Sequence, residues 1–280
     1  MKFTGILGSS NDKLVYAFME GVKRHGHTDI IYYDHRDLEP VVNLPKRDVC
    51  VGFAARQLDA FKRLCDDVVV LELAYIRDNV DEWKWISYGW NGLNGYAEVI
   101  NSQCPSDRRE KYFNNILKTE NTNGEIILIL TQVYHDQSLE KYGRENINYD
   151  KLIRDIQKKT TAPVFVKHHP KEWNPGIYNI TEKVSYIDKH TPLKYIFPLC
   201  KATVSISSNS SVDSLIAGVP AITLDNGSMA SFIAEHNVNN INTIKLPDRS
   251  NWLNNLCYSQ WLIEEAARGD VWDYMKQKFK

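Results

Sequence analysis

Short apolar runs alternate along the chain with amphipathic stretches, and the runs end in clusters of Gly, Ser, Asn, Asp or Pro. KFTGIL (2–7) breaks at Gly8-Ser9-Ser10 and is followed over 13–25 by a helical pattern that sets Leu14, Phe18 and Val22 on one face. DIIYYD (29–34), VCVGF (49–53), a helix over 56–65 and VVVLEL (68–73) come next. Near-continuous apolar strands of this kind, separated by helices, predict a parallel sheet covered on both faces.

After Tyr75 the periodicity stops. Residues 76–113 hold Trp83, Trp85 and Trp90 beside turns at Asn91-Gly92 and Asn94-Gly95, which predicts an ordered loop region of functional character. The polar run KTENTNGE (118–125) reads as a linker. A second series then begins: EIILILTQ (125–132), a loop with Asp136, a helix over 149–159, PVFVKHH, VSYID (184–188), a helix over 192–200, TVSIS (203–207), a helix over 212–217 and AITL. The expected fold class is α/β with two Rossmann-like domains, 1–120 and 121–250, and a helical tail over 251–280 packing back on the body.

Chemistry concentrates in the second series. Residues 201–231, KATVSISSNSSVDSLIAGVPAITLDNGSMAS, run from a strand through a Ser/Asn-rich turn into a short helix. Backbone N–H groups at such a turn are unpaired by the helix itself and suit a phosphate. The same Asn209 and Ser211 also serve as ordinary helix caps, and that reading has equal weight for the turn alone. The strand 164–166 ends in Lys167, His168, His169 and Pro170. In an α/β sheet ligands sit beyond the carboxyl ends of the strands, so two anion-suited strand ends are expected to face one crevice.

Totals narrow the classes. With 280 residues the chain buries one large core or two domains. Hydrophobic content of 43% and charged content of 25% are those of a soluble globular protein. No apolar run reaches the ~20 residues of a membrane span, and no signal peptide is recognisable, so a cytoplasmic location is expected. Cys50, Cys65, Cys104, Cys200 and Cys257 are scattered and odd in number, which argues against a disulfide framework or a structural zinc. The histidines form no metal-binding array, so no metal is expected. A net charge of −1 does not announce a nucleic-acid binder, although Arg108, Arg109 and Lys111 cluster locally. The first strand lacks GxGxxG, and neither a P-loop nor a GxSxG elbow is present.

TQVYHDQSL after a strand, VKHHP, and SSNSSVDSLIAGVPAI together resemble the nucleotide-binding half of GT-B glycosyltransferases, enzymes with two facing Rossmann-like domains and a cleft between them. The His-Pro strand end and Ser-rich turn are similar to those of transferases that build capsule and teichoic acid polymers. VVVLELAYIRD followed by ISYGWNGLNGYAEV resembles phage-encoded glycosyltransferases that act on hydroxymethylated pyrimidines in DNA. The resemblance spans roughly 68–230. Two positions depart from it: His168 and Tyr96 stand where arginine is expected.

What the resemblance implies is a metal-independent transferase moving sugar from a nucleotide-sugar donor, a UDP-sugar first, to modified phage DNA, in the host cytoplasm if phage-encoded. A surface polysaccharide or lipid-linked acceptor is the alternative, and a non-catalytic nucleotide- or nucleic-acid-binding module a third reading. Ser208, Asn209, Ser210 and Ser211 are assigned to the diphosphate, with Lys167 and His169 assisting. Asp213 is a candidate for the ribose, or simply a helix-dipole partner. Gln132 and Asp136 face the donor sugar or base, or belong to an ordinary polar loop. Glu72 is the first candidate base, because apolar neighbours raise a carboxyl pKa; Asp107 and Asp34 are rivals. The acceptor side comprises Trp90, Asn91, Asn94 and Gly95, joined by Trp85, Tyr88 and Tyr96, as stacking groups or as core, with Arg77, Arg108 and Arg109 on backbone phosphates.

Overall fold

The computed structural model describes residues 1–36, 46–54, 62–76, 84–98 and 103–279. Its elements are, in chain order, β1 (Phe3–Leu7), α1 (Asp12–Arg24), β2 (Ile30–Asp34), β3 (Arg47–Phe53), β4 (Cys65–Glu72), β5 (Trp85–Trp90), α2 (Asp107–Tyr112), β6 (Ile126–Leu130), α3 (Tyr149–Gln157), β7 (Val164–Lys167), β8 (Ser185–Ile187), α4 (Leu193–Ile196), β9 (Cys200–Ser205), α5 (Ser210–Ile216), β10 (Ala221–Thr223), α6 (Ser250–Ser259), β11 (Gln260–Leu262), α7 (Ile263–Arg268) and α8 (Asp270–Met275). The fold is α/β, with two sheets built mainly of parallel strands. Two compact units result, one of residues 1–105 and 254–280, the other of 106–253.

In the first unit the sheet order is β11-β5-β4-β3-β1-β2. The turn that leads into helix α1 is closed by the Asp12 carboxylate, which accepts from the backbone N–H groups of Gly8 (3.0 Å) and Ser9 (2.9 Å) ahead of the helix. Leu14, Val15, Phe18, Met19 and Val22 then recur at helical spacing and bury against Phe3, Val49, Val51, Val69 and Leu71 of the sheet. At Gly21 a Cβ would fall 2.1 Å from the Ala266 carbonyl oxygen, so the close approach of α1 to α7 requires glycine there.

Three expectations change in this unit. Residues 85–90 form a strand rather than a loop, antiparallel to β4 with Val69 opposite Trp90 and Leu71 opposite Tyr88. WISYGW is rich in aromatic and β-branched residues, and every one of its six residues is buried. The tail contributes β11, which pairs antiparallel with β5 and sets Trp261 opposite Ile86. Cys50 of β3 and Cys65 of β4 form a disulfide, their Cα atoms 5.8 Å apart, against the expectation of no disulfide; adjacent strands brought together two cysteines that sequence spacing kept apart. Most of the helix expected over 56–65 lies outside the described residues, as do Arg77 and Trp83.

The second unit is a five-stranded parallel sheet in the order β10-β9-β6-β7-β8. The chain starts in the middle at β6, adds β7 and β8 on one side, then crosses to lay β9 and β10 on the other. That reversal makes β6/β9 the topological switch point. Ile127, Ile129, Ile153, Val166 and Val204 fill one face, and Leu128, Leu130, Phe197 and Val219 the other. The run 118–125 is not a free linker: Lys118 N donates to Ile216 O at 2.9 Å, and the Asn121 side chain donates to the carbonyls of Phe197, Pro198 and Cys200. The backbone carbonyls between α4 and β9 hold it within the second unit.

Candidate functional site at the carboxyl edge of the second sheet

Beyond β6, Gln132 crosses the switch point. Its Oε1 accepts from Ser207 N at 2.8 Å, and its Nε2 donates to Ser207 Oγ at 3.1 Å and Ser138 Oγ at 3.0 Å. Asp136 Oδ1 accepts from Ser138 N and Oγ at 2.9 and 2.8 Å, and the Tyr178 hydroxyl donates to the Gln132 carbonyl. Gln132, which the sequence places either on the donor or in an ordinary polar loop, spends its buried amide joining the ends of β6 and β9, where an unpaired amide carries a desolvation penalty. Asp136 orders the following loop.

The serine cluster separates into two sets. Ser211 Oγ bonds Ser205 Oγ at 2.7 Å, and three residues on, Ser214 Oγ accepts from Thr203 Oγ1 at 2.7 Å. These hydroxyls are fully buried and fasten α5 to β9, which takes Ser211 off the anion-facing set. Ser208 Oγ accepts from Ser210 N at 3.2 Å and is also buried. Asn209, Ser210 and Asp213 remain partly exposed, with Ser210 and Asp213 sharing a helix face by their spacing of three.

The three residues before Pro170 meet three different environments. Lys167 is buried, donates to the Lys189 carbonyl at 2.6 Å, and has its pKa lowered chiefly by desolvation. That bond aims the ammonium at the loop after β8. His168 stacks between Tyr178 (6.2 Å) and Tyr186 (5.6 Å), with Nδ1 3.1 Å from Thr131 Oγ1; burial lowers its pKa too. His169 Nδ1 accepts from the Lys171 backbone N–H at 3.1 Å, so this nitrogen is unprotonated and the ring carries its proton on Nε2. The ring is thereby oriented two residues after Lys167, whose pairing with Leu130 ends the ladder of β7 with β6 at that edge.

Residues expected elsewhere are placed as follows. Trp90 is buried in the first unit's core and donates from Nε1 to Asp67 at 3.0 Å, so its faces are packed rather than offered for stacking; Trp85 and Tyr88 are buried likewise. Asn91, at φ 55°, accepts from Val68 N and donates to Asp67 and Glu98, building a turn. Asn94, Gly95 and Tyr96 form one partly exposed turn of 3-10 helix. Glu72 ends β4, opposite Ser87, and is half-buried, with Oε2 3.3 Å from the Leu73 N–H. Asp107 is exposed and Arg108 buried at the start of α2, the Arg108 guanidinium 5.2 Å from the Tyr112 ring centre. Glu72 thus belongs to the first unit, whereas Asp107 and His169 belong to the second.

Sequence reasoning missed Ser207, Ser138 and Glu172. Only the strand period carried a signal for Ser207, which shares a face with Ser205 two residues earlier. Glu172 accepts from Tyr134 N and Asn174 N, both at 2.9 Å. Among the described residues, no group of three or more His, Cys, Asp or Glu side chains is placed to hold a metal ion, and no helix is long and apolar enough to cross a membrane.

No protein-family profile and no curated protein matches the chain. Solved structures do. The beta Kdo 2,4 transferase of Thermosulfurimonas dismutans KpsC aligns over 92% of this chain and 91% of its own, with TM-score 0.52 and 14% identity. The shared property is the fold. The beta Kdo 2,7 transferase of the same KpsC aligns over 97% and 99% at TM-score 0.47 and 17% identity. Methanocaldococcus jannaschii UDP-GlcNAc 2-epimerase aligns over 98% and 99% at 0.40 and 12%. The architecture is that of GT-B proteins, with two Rossmann-like α/β units.

Proposed function

We propose that this chain is a glycosyltransferase that takes its sugar from a nucleoside diphosphate sugar, with the diphosphate seated at the carboxyl edge of β6, β7 and β9. The observation that carries the reading is the strand end before Pro170, where the Lys171 backbone N–H donates to His169 Nδ1 and orients the ring. Ser210 and Asn209, partly exposed where the chain turns from β9 into α5, add hydroxyl, amide and backbone donors. Donors fixed before the reaction stabilise charge that develops on a departing diphosphate, typically by a factor of about 10² to 10³ per donor. Asp213, on the same helix face as Ser210, is the proposed acceptor for the ribose hydroxyls.

Transfer breaks the bond from the anomeric carbon to the diphosphate oxygen and forms one to the acceptor oxygen. The acceptor proton goes to a base. The favoured acceptor is a saccharide hydroxyl of a surface or lipid-linked glycan, because burial of Trp85, Tyr88 and Trp90 removes the aromatic platform that a flipped base needs. A hydroxymethylated pyrimidine in DNA is the second reading, supported by Lys111, exposed on α2, and the half-exposed Arg109.

Hydrolysis of UDP-sugars and other nucleotide sugars, measured alone, with oligosaccharide acceptors and with hydroxymethylated DNA, tests both levels. Stimulation by oligosaccharide supports the first acceptor, stimulation by DNA the second. No binding of any nucleotide sugar or nucleoside diphosphate would remove the reading altogether.

A further inference from the structure

Trp173 is 80% exposed, four residues after His169, yet the backbone that carries it is tied on every side. The Glu172 carboxylate is 2% exposed and spans the tryptophan, accepting from Tyr134 N before it and Asn174 N after it. Glu172 N donates to His169 O at 2.9 Å, and Lys189 Nζ donates to Glu172 O at 2.8 Å. Ordering a segment this thoroughly costs backbone entropy that burial of the side chain usually offsets. Here the largest apolar side chain of the segment stays in water. A rigid mount for an uncovered indole is the geometry of a stacking platform.

We infer that Trp173 is the seat of the nucleobase of the donor, stacking on its ring while His169 holds the phosphates. The inference rests on the phosphate seat proposed above and adds the base to it. The turn closed by Glu172 N and His169 O brings the Cα atoms of 169 and 172 within about 7 Å. One further residue adds about 3.8 Å, so the Trp173 Cα lies within about 11 Å of that of His169, and the indole spans the remaining reach to a base. Lys171, two residues before the tryptophan, and Lys189, bonded to the residue before it, supply positive charge to this segment. Stacking is tolerant of base identity, since every base has a π face.

Calorimetric titration of the full chain with UDP, CDP, ADP, GDP and inorganic pyrophosphate tests this, because pyrophosphate has no base. Trp173→Ala is expected to weaken the preferred nucleoside diphosphate about tenfold or more while leaving pyrophosphate affinity within about twofold, and Trp173→Phe to keep most of the affinity. Unchanged nucleotide affinity in Trp173→Ala overturns the inference and leaves the phosphate seat standing. So does equal binding of pyrophosphate and every nucleotide by the unaltered chain. Equal loss for pyrophosphate and nucleotide assigns Trp173 to loop order instead. Loss of sedimentation with phosphatidylglycerol vesicles, at constant nucleotide affinity, assigns it to a lipid surface and likewise overturns the base seat. If the unaltered chain binds neither pyrophosphate nor nucleotide, the phosphate seat falls first and the base seat with it.

Discussion

Gln132 and Ser207 hold the switch point closed by two reciprocal hydrogen bonds, backbone N–H to Oε1 at 2.8 Å and Nε2 to Oγ at 3.1 Å. Gln132→Leu keeps the volume but strands the buried Ser207 backbone N–H, while the Ser138 hydroxyl keeps its bond to Asp136. A loss of about 2–3 kcal/mol is expected in urea unfolding, and about 1 kcal/mol for Ser207→Ala. Equal, small losses for both would mean that water or a neighbour replaces the amide.

Ser210 and Ser211 are adjacent but have opposite roles. Ser211→Ala removes the buried partner of Ser205 and is expected to lower stability by about 1 kcal/mol with little effect on nucleotide affinity. Ser210→Ala is expected to leave the melting temperature unchanged and weaken nucleoside diphosphate binding. Reversed results in paired melting and calorimetric measurements reject the division of the cluster.

His169→Ala removes the imidazole that the Lys171 backbone N–H orients. Donor-hydrolysis kcat/KM is expected to fall about 10² to 10³-fold, with stability within about 0.5 kcal/mol of the unaltered chain. A kcat/KM within threefold of the original contradicts a phosphate contact from this ring.

His168 makes stability depend on pH. Burial lowers its pKa in the folded chain from 6.5, so below 6.5 the unfolded chain binds more protons than the folded one. Stability is complete above 6.5 and declines as the pH falls from there toward the lower folded value. His27 is shifted the same way and adds to the slope. Urea midpoints at about pH 7.5 and about pH 5.5 are expected to differ less in His168→Gln than in the unaltered chain. A steeper dependence in the variant assigns the slope to other groups.

Reduction of Cys50–Cys65 opens a link between residues 15 apart in sequence. A loss of about 3 kcal/mol follows from the chain entropy released, read as a lower urea midpoint with dithiothreitol than without. Cys50→Ser with Cys65→Ser is expected to match the reduced protein and to ignore the reductant. A double variant as stable as the oxidised chain excludes a stabilising role for the bond.

Strands β1, β6, β7 and β9 were legible because each is an apolar run that ends in turn-forming residues, and burial on both faces of a parallel sheet demands such runs. β5 was not, since its glycine, its tryptophans and the Asn-Gly steps after it imitate a binding loop until cross-strand pairing with β4 is known. β11 is three residues long and has no periodicity to detect. At the candidate site, the residue types of the serine turn and the His-Pro strand end could be read directly. Which hydroxyl turns inward could not, because the same residue type serves both faces of α5 and only the register against β9 separates Ser211 from Ser210. The Gln132 bridge links residues 75 apart, a separation that no local pattern encodes.

Because β11 edges the first sheet and comes from positions 260–262, that sheet stays one strand short until those residues have been synthesised. The second unit, contained within 106–253, can assemble earlier during translation. Deleting residues 260–262 therefore harms the unit that holds residues 1–105 more than the one formed by 106–253.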